Sequence, residues 1–263
     1  MATAGTDEPA VTTTDQRRCE PRSAFKNALL VAATVSLLTT GCSLIDRVRG
    51  EPEPPPVPEL SESSLSQLLL SAGEINSIVD GPGMEASTET SDELGSGPAD
   101  ISNEACLGAA FPALRPVYSG GAWTATERGS VIDSEGNHGV LQAVVLFRSA
   151  DRAQEFFESS RETFETCAGD DLEVARGTED EARIEIGPFT DVEDGGDTVI
   201  AQQLQKFDGS LDCQHALGVV ANLVADVEVC FSEDSVADEA EIIVTRILAT
   251  AEDLATEQST AEG

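Results

Sequence analysis

Apolar residues in this chain recur at two spacings, and each spacing predicts its own kind of element. The first element begins near Leu65. Ser71-Ala72-Gly73-Glu74 is a capping-box pattern, Ile75, Ile78 and Val79 share one helical face, and Gly81-Pro82-Gly83 ends the helix. A short helix is predicted from Ser102 and carries Cys106. Residues 122–131 and 140–147 predict a hairpin, joined by the turn chemistry of residues 133–139. In its second strand Val140, Gln142, Val144 and Leu146 alternate with Leu141, Ala143, Val145 and Phe147, so apolar side chains occupy both faces. That pattern predicts a strand covered on both sides. Ser149 stands as the cap of the strongest helix, to about Ala168, along which Ala153, Phe156, Phe157, Ser160, Phe164 and Cys167 recur at helical steps while Glu155 and Glu158 face solvent.

Residues 183–189, 198–207, 213–220 and 223–231 predict strands. Ser235 opens a last helix through Val236, Ala240, Ile243, Val244, Ile247, Leu248 and Ala251. Residues 85–104 are acidic, rich in Gly and Ser, and aperiodic, which predicts a mobile loop; residues 255–263 are small and polar and predict a disordered tail. The element order has no strict βαβ alternation and no internal repeat. It predicts an α+β fold with helices packed against an antiparallel sheet.

The N-terminus has a different grammar. Arg17, Arg18, Arg22 and Lys26 precede an uncharged stretch around Leu29, Leu30, Val31, Val35, Leu37 and Leu38, too short for a span of ~20 apolar residues. Leu38-Thr39-Thr40-Gly41-Cys42 closes it in the form of a lipobox. Residues 1–41 are therefore expected to be a lipoprotein signal peptide, and Cys42 the residue that carries the lipid. A short transmembrane anchor and an ordinary secretory signal are the alternatives. Residues 42–60 follow as a tether, in which Glu51-Pro52-Glu53-Pro54-Pro55-Pro56-Val57-Pro58 favours extended polyproline II. Residues 61–254 form the expected domain. The location implied is the extracytoplasmic face of the cell membrane.

Composition narrows the function. With 49 acidic against 15 basic side chains the net charge is −34, and four acidic and four basic residues before Cys42 leave it unchanged on cleavage. Such a field repels nucleic acid and anionic headgroups, so membrane attachment must come from acyl chains. It also fits a salty or alkaline habitat, where hydrated carboxylates preserve solubility. Lys206 is the one lysine after the leader.

Four cysteines remain beyond Cys19 and Cys42: Cys106, Cys167, Cys213 and Cys230. An even number in an exported domain reads as two disulfides with three pairings open. None stands in CxxC, and a Cys₄ zinc site lacks paired close ligands.

At these residues the chain resembles the extracellular sensor domain of PknH-type serine/threonine kinases, shared with actinobacterial lipoproteins. The matching stretches are Leu68-Leu69-Leu70-Ser71-Ala72-Gly73-Glu74-Ile75, Cys106-Leu107-Gly108-Ala109, Val117-Tyr118, Trp123-Thr124 and Gln142-Ala143-Val144-Val145-Leu146-Phe147. They continue with the helix ending at Cys167, Cys213-Gln214-His215-Ala216-Leu217, and Asn222 through Asp226-Val227 to Cys230. The resemblance implies a twisted antiparallel sheet beside a cleft, disulfides paired in sequence order, and ligand binding rather than chemistry. His215 stands where the family usually has Arg. The 263 residues carry none of the kinase catalytic motifs.

Candidate chemistry is sparse. His138 lies in a predicted turn and His215 two residues past Cys213, neither with a nucleophile motif. Asp191-Val192-Glu193-Asp194-Gly195-Gly196-Asp197 offers oxygen ligands but not EF-hand spacing, and reads as a solvated acidic loop. No catalytic residue, metal or cofactor is assigned. The leading reading is a lipid-anchored, non-catalytic ligand-binding module whose partner is an envelope small molecule or protein. The alternatives are a structural or interaction module of the envelope, and a hydrolase.

Overall fold

The computed structural model describes residues 57–79, 83–86, 90–176, 180–194, 197–232 and 235–261. The leader, the lipobox with Cys42, the tether through Pro56, Gly81-Pro82 and Gly195-Gly196 lie outside them. The strands are β1 (Glu85–Ala86), β2 (Trp123–Ile132), β3 (His138–Phe147), β4 (Asp171–Arg176), β5 (Asp180–Asp194), β6 (Asp197–Lys206), β7 (Leu211–Val220) and β8 (Leu223–Phe231). The helices are α1 (Ala72–Val79), α2 (Leu107–Ala110), α3 (Arg115–Tyr118), α4 (Ala150–Cys167) and α5 (Glu239–Ala261), with 3₁₀ turns at Glu62–Gln67 and Glu104–Cys106.

All eight strands join one sheet in the order β1-β2-β3-β8-β7-β6-β5-β4, and every pairing is antiparallel. β4 to β8 form a meander, and β8 closes onto β3, so α4 must carry the chain from the centre of the sheet to its far edge. The fold is α+β, as the element order predicts.

Each face of the sheet is covered. On one, Ile243, Val244, Ile247, Leu248 and Ala251 of α5, with Ile75 and Val79 of α1, pack on Val140, Val144, Ala216, Ala225 and Val227. On the other, Ala153, Phe157 and Phe164 of α4 pack on Ala143, Val145, Leu217 and Val224. The doubly apolar run of β3 thus serves both layers. Gly218 of β7 marks the closest approach of α5: a Cβ there would stand 2.5 Å from Val244 Cγ1 and 2.8 Å from Leu248 Cδ1.

Buried amide side chains of the sheet bind backbone that has no strand to pair with. Gln142 Oε1 accepts from Leu70 N at 2.9 Å while its Nε2 donates to Leu70 O at 2.7 Å. Asn222, in the β7–β8 turn, does the same for Leu60, accepting at 2.8 Å and donating at 3.1 Å. Gln214 Oε1 accepts from Ala240 N at 2.9 Å, satisfying one of the free N–H groups that open α5.

Several boundaries differ from expectation. Ser235 does not open the last helix: α5 starts at Glu239, where Gln214 reaches it from β7. The expected disordered tail is helical to Ala261, because Ala255 is fully buried and Leu254 packs against the core. The end of the tether belongs to the domain, since Val57 packs on the core and Leu60 is buried. Ser149 makes no side-chain cap; the Glu59 carboxylate accepts from Ala150 N at 3.2 Å instead. The short helix begins as a 3₁₀ turn at Glu104, capped by Asn103.

The expected mobile loop at 85–104 is stitched down by backbone pairing. Glu85 and Ala86 pair with Ile132 and Val131, Ser91 exchanges two hydrogen bonds with Arg128, and Ser102 N donates to Glu173 O at 2.9 Å. The acidic stretch from Asp191, expected to be a solvated loop, is strand in its described residues. Asp191, Val192 and Glu193 are strand residues paired with Ile200, Val199 and Thr198. The capping box is present: Glu74 Oε2 accepts from Ser71 N at 2.8 Å and from Ser71 Oγ at 2.6 Å, which lowers the Glu74 pKa.

Candidate functional site

α4 packs on the sheet through Ala153, Phe157 and Phe164, and the segment 96–121 faces another flank of it. Between them lies a cleft of about 680 Å³, a size that suits a small-molecule ligand. Ile101, Leu107, Val117 and Phe156 give it apolar walls, and Glu104 and Glu155 place carboxylates along it. Phe156 stacks on Tyr118 with ring centroids 4.3 Å apart, which fixes the wall at that end.

Behind the lining residues Phe156 and Phe164, which touch Tyr118 and His215, lies a buried polar network. His215 of β7 and Asp226 of β8 sit on the α4-facing side of the sheet, 2.7 Å apart between Nε2 and Oδ1. Asp226 Oδ2 accepts two more hydrogen bonds, from Tyr118 Oη at 2.8 Å and from Ala113 N at 2.9 Å. The other ring nitrogen of His215 lies 3.2 Å from Ala109 O. Together these bonds bind α2, the turn at Ala113 and α3 to the sheet. Ala113 needs such a hold, because its φ of 51° is in the left-handed region. Burial, with the neighbouring Asp226 charge and its hydrogen bond, raises the Tyr118 pKa well above the ordinary phenol range, so the hydroxyl remains a donor.

Two further groups extend the network along the same side. Gln202 of β6 donates to Phe164 O at 3.1 Å and to Gly187 O at 3.2 Å, tying α4 to β5 and β6 while its Oε1 stays unpaired. Lys206 is buried, ion-paired with Glu228, and its Nζ lies 4.5 Å from the centroid of the Phe111 ring. The single lysine beyond the leader is thus spent inside the domain.

Two disulfides complete the frame. Cys106 joins Cys167 with Cα atoms 5.7 Å apart, linking the 3₁₀ turn before α2 to the end of α4. Cys213 joins Cys230 across β7 and β8 at 4.1 Å. The pairing runs in sequence order, as the family resemblance implies. Oxidised sulfurs offer no thiolate, so the grouping of Cys106, Cys167 and Asp170 is no metal-ligand set.

His138 opens β3, where its Nδ1 lies 2.7 Å from Asp133 Oδ2; that hydrogen bond chiefly, helped by the backbone of Asn137 and Gly136, lowers the Asp133 pKa. It is far in sequence register from the cleft: its strand partner is Phe231, at the opposite end of β8 from Val224. His215 is 1% exposed and faces a carboxylate, a carbonyl and the Phe164 ring, with no Ser or Cys nucleophile on either nitrogen. Lipidation at Cys42 lies outside the described residues. Sequence reasoning missed Tyr118, Gln202, Lys206 and Asp226 as one assembly. Their signal was polarity at inward positions of strands that are otherwise apolar on that side.

Residues 60–250 match the model of the PknH-like extracellular domain. The chain belongs to that family. It is 32% identical over 203 residues to the serine/threonine-protein kinase PknH of Mycobacterium tuberculosis, covering 76% of this chain and 31% of the kinase. Against PknH of Mycobacterium bovis the identity is 30% over 217 residues, covering 81% and 35%. The chain thus spans about a third of the length of these relatives. The crystal structure of the extracellular domain of PknH from Mycobacterium tuberculosis superposes with a TM-score of 0.66 at 25% identity, over 75% of this chain and 99% of that domain. The PknH-like fold therefore accounts for the sheet, both helical layers and the two disulfides. No helix among the described residues is long and apolar enough to cross a membrane.

Proposed function

We propose that this protein is a lipid-anchored lipoprotein of the cell envelope, whose PknH-like domain senses by binding an extracytoplasmic ligand in the cleft beside α4 and performs no chemistry. The observation that carries the reading is the division of labour in the site. His215, Asp226 and Tyr118 are buried and consumed in hydrogen bonds to one another and to backbone, and among the described residues the cleft lining itself holds carboxylates but no histidine, cysteine or lysine. What the cleft offers is a shaped space in which apolar walls and polar side chains alternate, which serves binding rather than catalysis.

Cys42 would carry the lipid, and residues 43–56 would hold the domain off the bilayer. With a net charge of −34, the protein has no electrostatic attraction to an anionic membrane surface, which is why acyl chains are needed. A large exposed apolar patch would favour a structural or interaction module instead. Ile132 is the one large apolar side chain that stands exposed among the described residues.

Two experiments test this. Cys42→Ala should release the protein from the membrane fraction or leave it as uncleaved precursor; unchanged, mature, membrane-bound protein refutes the anchor. Native mass spectrometry of the full chain, extracted gently from its host's envelope, should show a reproducible bound mass. That mass should vanish in a Ser160→Trp variant, whose side chain fills the cleft. A mass that persists in the variant moves the ligand elsewhere.

A further inference from the structure

Resting on the cleft reading, we propose that the ligand is a cationic amphiphile: a molecule with a protonated amine on an apolar body. The cleft's own hydrogen-bonding inventory argues for it. Ser160 Oγ donates to Phe156 O at 2.9 Å and Thr163 Oγ1 donates to Ser159 O at 3.0 Å, so both hydroxyls have spent their hydrogen on α4 itself. Only their lone pairs are left for a ligand. Asp100, Glu104 and Glu155 add carboxylate oxygens, which are acceptors.

Arg152 is the only basic residue on the lining, and its Nη1 donates to Glu155 Oε2 at 2.6 Å. That pair cancels. Asp100 and Glu104 keep net negative charge at the opposite wall, with no basic side chain in ion-pair range of either among the described residues. A glycan needs donors and acceptors in comparable number; the hydroxyls of Ser96 and Ser159 and the free N–H groups of Arg152 are donors here, but three carboxylates leave the acceptors in excess. An anionic lipid or phosphate would face two carboxylates at short range and a net charge of −34 at long range. A cation is concentrated by the same field. The apolar walls of Ile101, Leu107, Val117 and Phe156 then need an apolar body to cover them, which a bare metal ion or a simple polyamine lacks.

Calorimetry on the full chain with three probes of equal chain length tests the proposal: dodecylamine, dodecanol and dodecanoate, each below its aggregation concentration. Dodecylamine should bind at least tenfold more tightly than dodecanol, and dodecanoate should not bind. Raising NaCl from 20 to 500 mM should weaken the amine several-fold and leave dodecanol unchanged. The Asp100→Asn, Glu104→Gln double variant should erase the preference for the amine, with unchanged melting temperature because both residues are exposed.

Dodecanol or dodecanoate binding as tightly as the amine overturns the charge assignment, as does amine binding that survives the double variant. If dodecanol binds equally and Ser160→Trp abolishes it, the charge assignment fails while the cleft reading stands. If Ser160→Trp leaves binding of all three intact, both fail. No binding of any probe overturns the amphiphile, and the native mass measurement then judges the cleft by itself.

Discussion

Asp226 of β8 holds His215 of β7 at 2.7 Å, and through its second oxygen it also holds Tyr118 and the backbone of Ala113. One carboxylate thus fastens the irregular wall to the sheet. Asp226→Ala strips the acceptor from three buried donors at once. It should cost on the order of 3–5 kcal/mol, since each buried donor left without an acceptor costs about 1–3 kcal/mol. Tyr118→Phe removes one donor to that carboxylate and should cost about 1.5–3 kcal/mol. Urea unfolding measures both. A loss below about 0.5 kcal/mol for Asp226→Ala would show that the network is not what secures the wall.

Gly218 sets how closely α5 approaches β7. In Gly218→Ala the new methyl would fall 2.5 Å from Val244 Cγ1, so α5 must shift or Val244 must change rotamer. Overpacking of this kind should cost about 1–3 kcal/mol. The companion change Val244→Ala opens the space the methyl needs. The double variant should therefore be more stable than the sum of the single losses predicts, by at least 0.5 kcal/mol. Strict additivity in a double-mutant cycle would contradict the contact.

The strands and helices with strong periodicity were legible in the residues, and the places that were not share a physical cause. β3 and α4 announce themselves because each buries a continuous apolar pattern. No element is predicted over β4, although Leu172 and Val174 are buried and alternate with the exposed Asp171 and Glu173, so its period of two was there to be read. The start of α5 was displaced because its cap comes from Gln214, a residue distant in sequence, which no local pattern can show. The cleft was anticipated only through the family resemblance. Its walls come from two segments distant in sequence, 96–121 and α4, and composition says nothing of their meeting. Buried polar residues in apolar strands, Gln142, Gln202, Gln214 and Asp226, were the available clue to where the fold needs hydrogen bonds.

Asp133 ties the β2–β3 turn together, bonding His138 and accepting from Asn137 N at 2.8 Å. Its carboxyl titrates below the usual carboxylate range, chiefly through the His138 hydrogen bond. A group whose pKa is lower folded than unfolded stabilises the fold above its unfolded pKa and loses that contribution as pH falls through the folded value. Asp133→Asn should therefore lower the melting temperature at pH 7, and the gap to wild type should shrink as pH falls below about 4. A gap that stays constant from pH 7 to pH 3 would mean the carboxylate charge is not involved.

The Cys106–Cys167 bridge joins the two sides of the cleft and closes a loop with a sequence separation of 61. In the chain-entropy account a loop of that length gives at most ~4 kcal/mol, against ~3 kcal/mol for the shorter Cys213–Cys230 loop. The two bridges should differ more in function than in stability. Cys213–Cys230 spans neighbouring strands already held by hydrogen bonds, whereas Cys106 sits between Ala105 and Leu107 on the cleft wall and Cys167 ends the helix opposite. The Cys106→Ser, Cys167→Ser variant should lose stability and also bind the cleft ligand at least several-fold more weakly, because the wall is freed from α4. The Cys213→Ser, Cys230→Ser variant should lose comparable stability with little change in affinity at a temperature where it remains folded. Calorimetric titration with the ligand identified by native mass spectrometry separates the two cases. Equal loss of affinity in both variants would show that the bridges act only through global stability, leaving the cleft walls set by the Asp226 network.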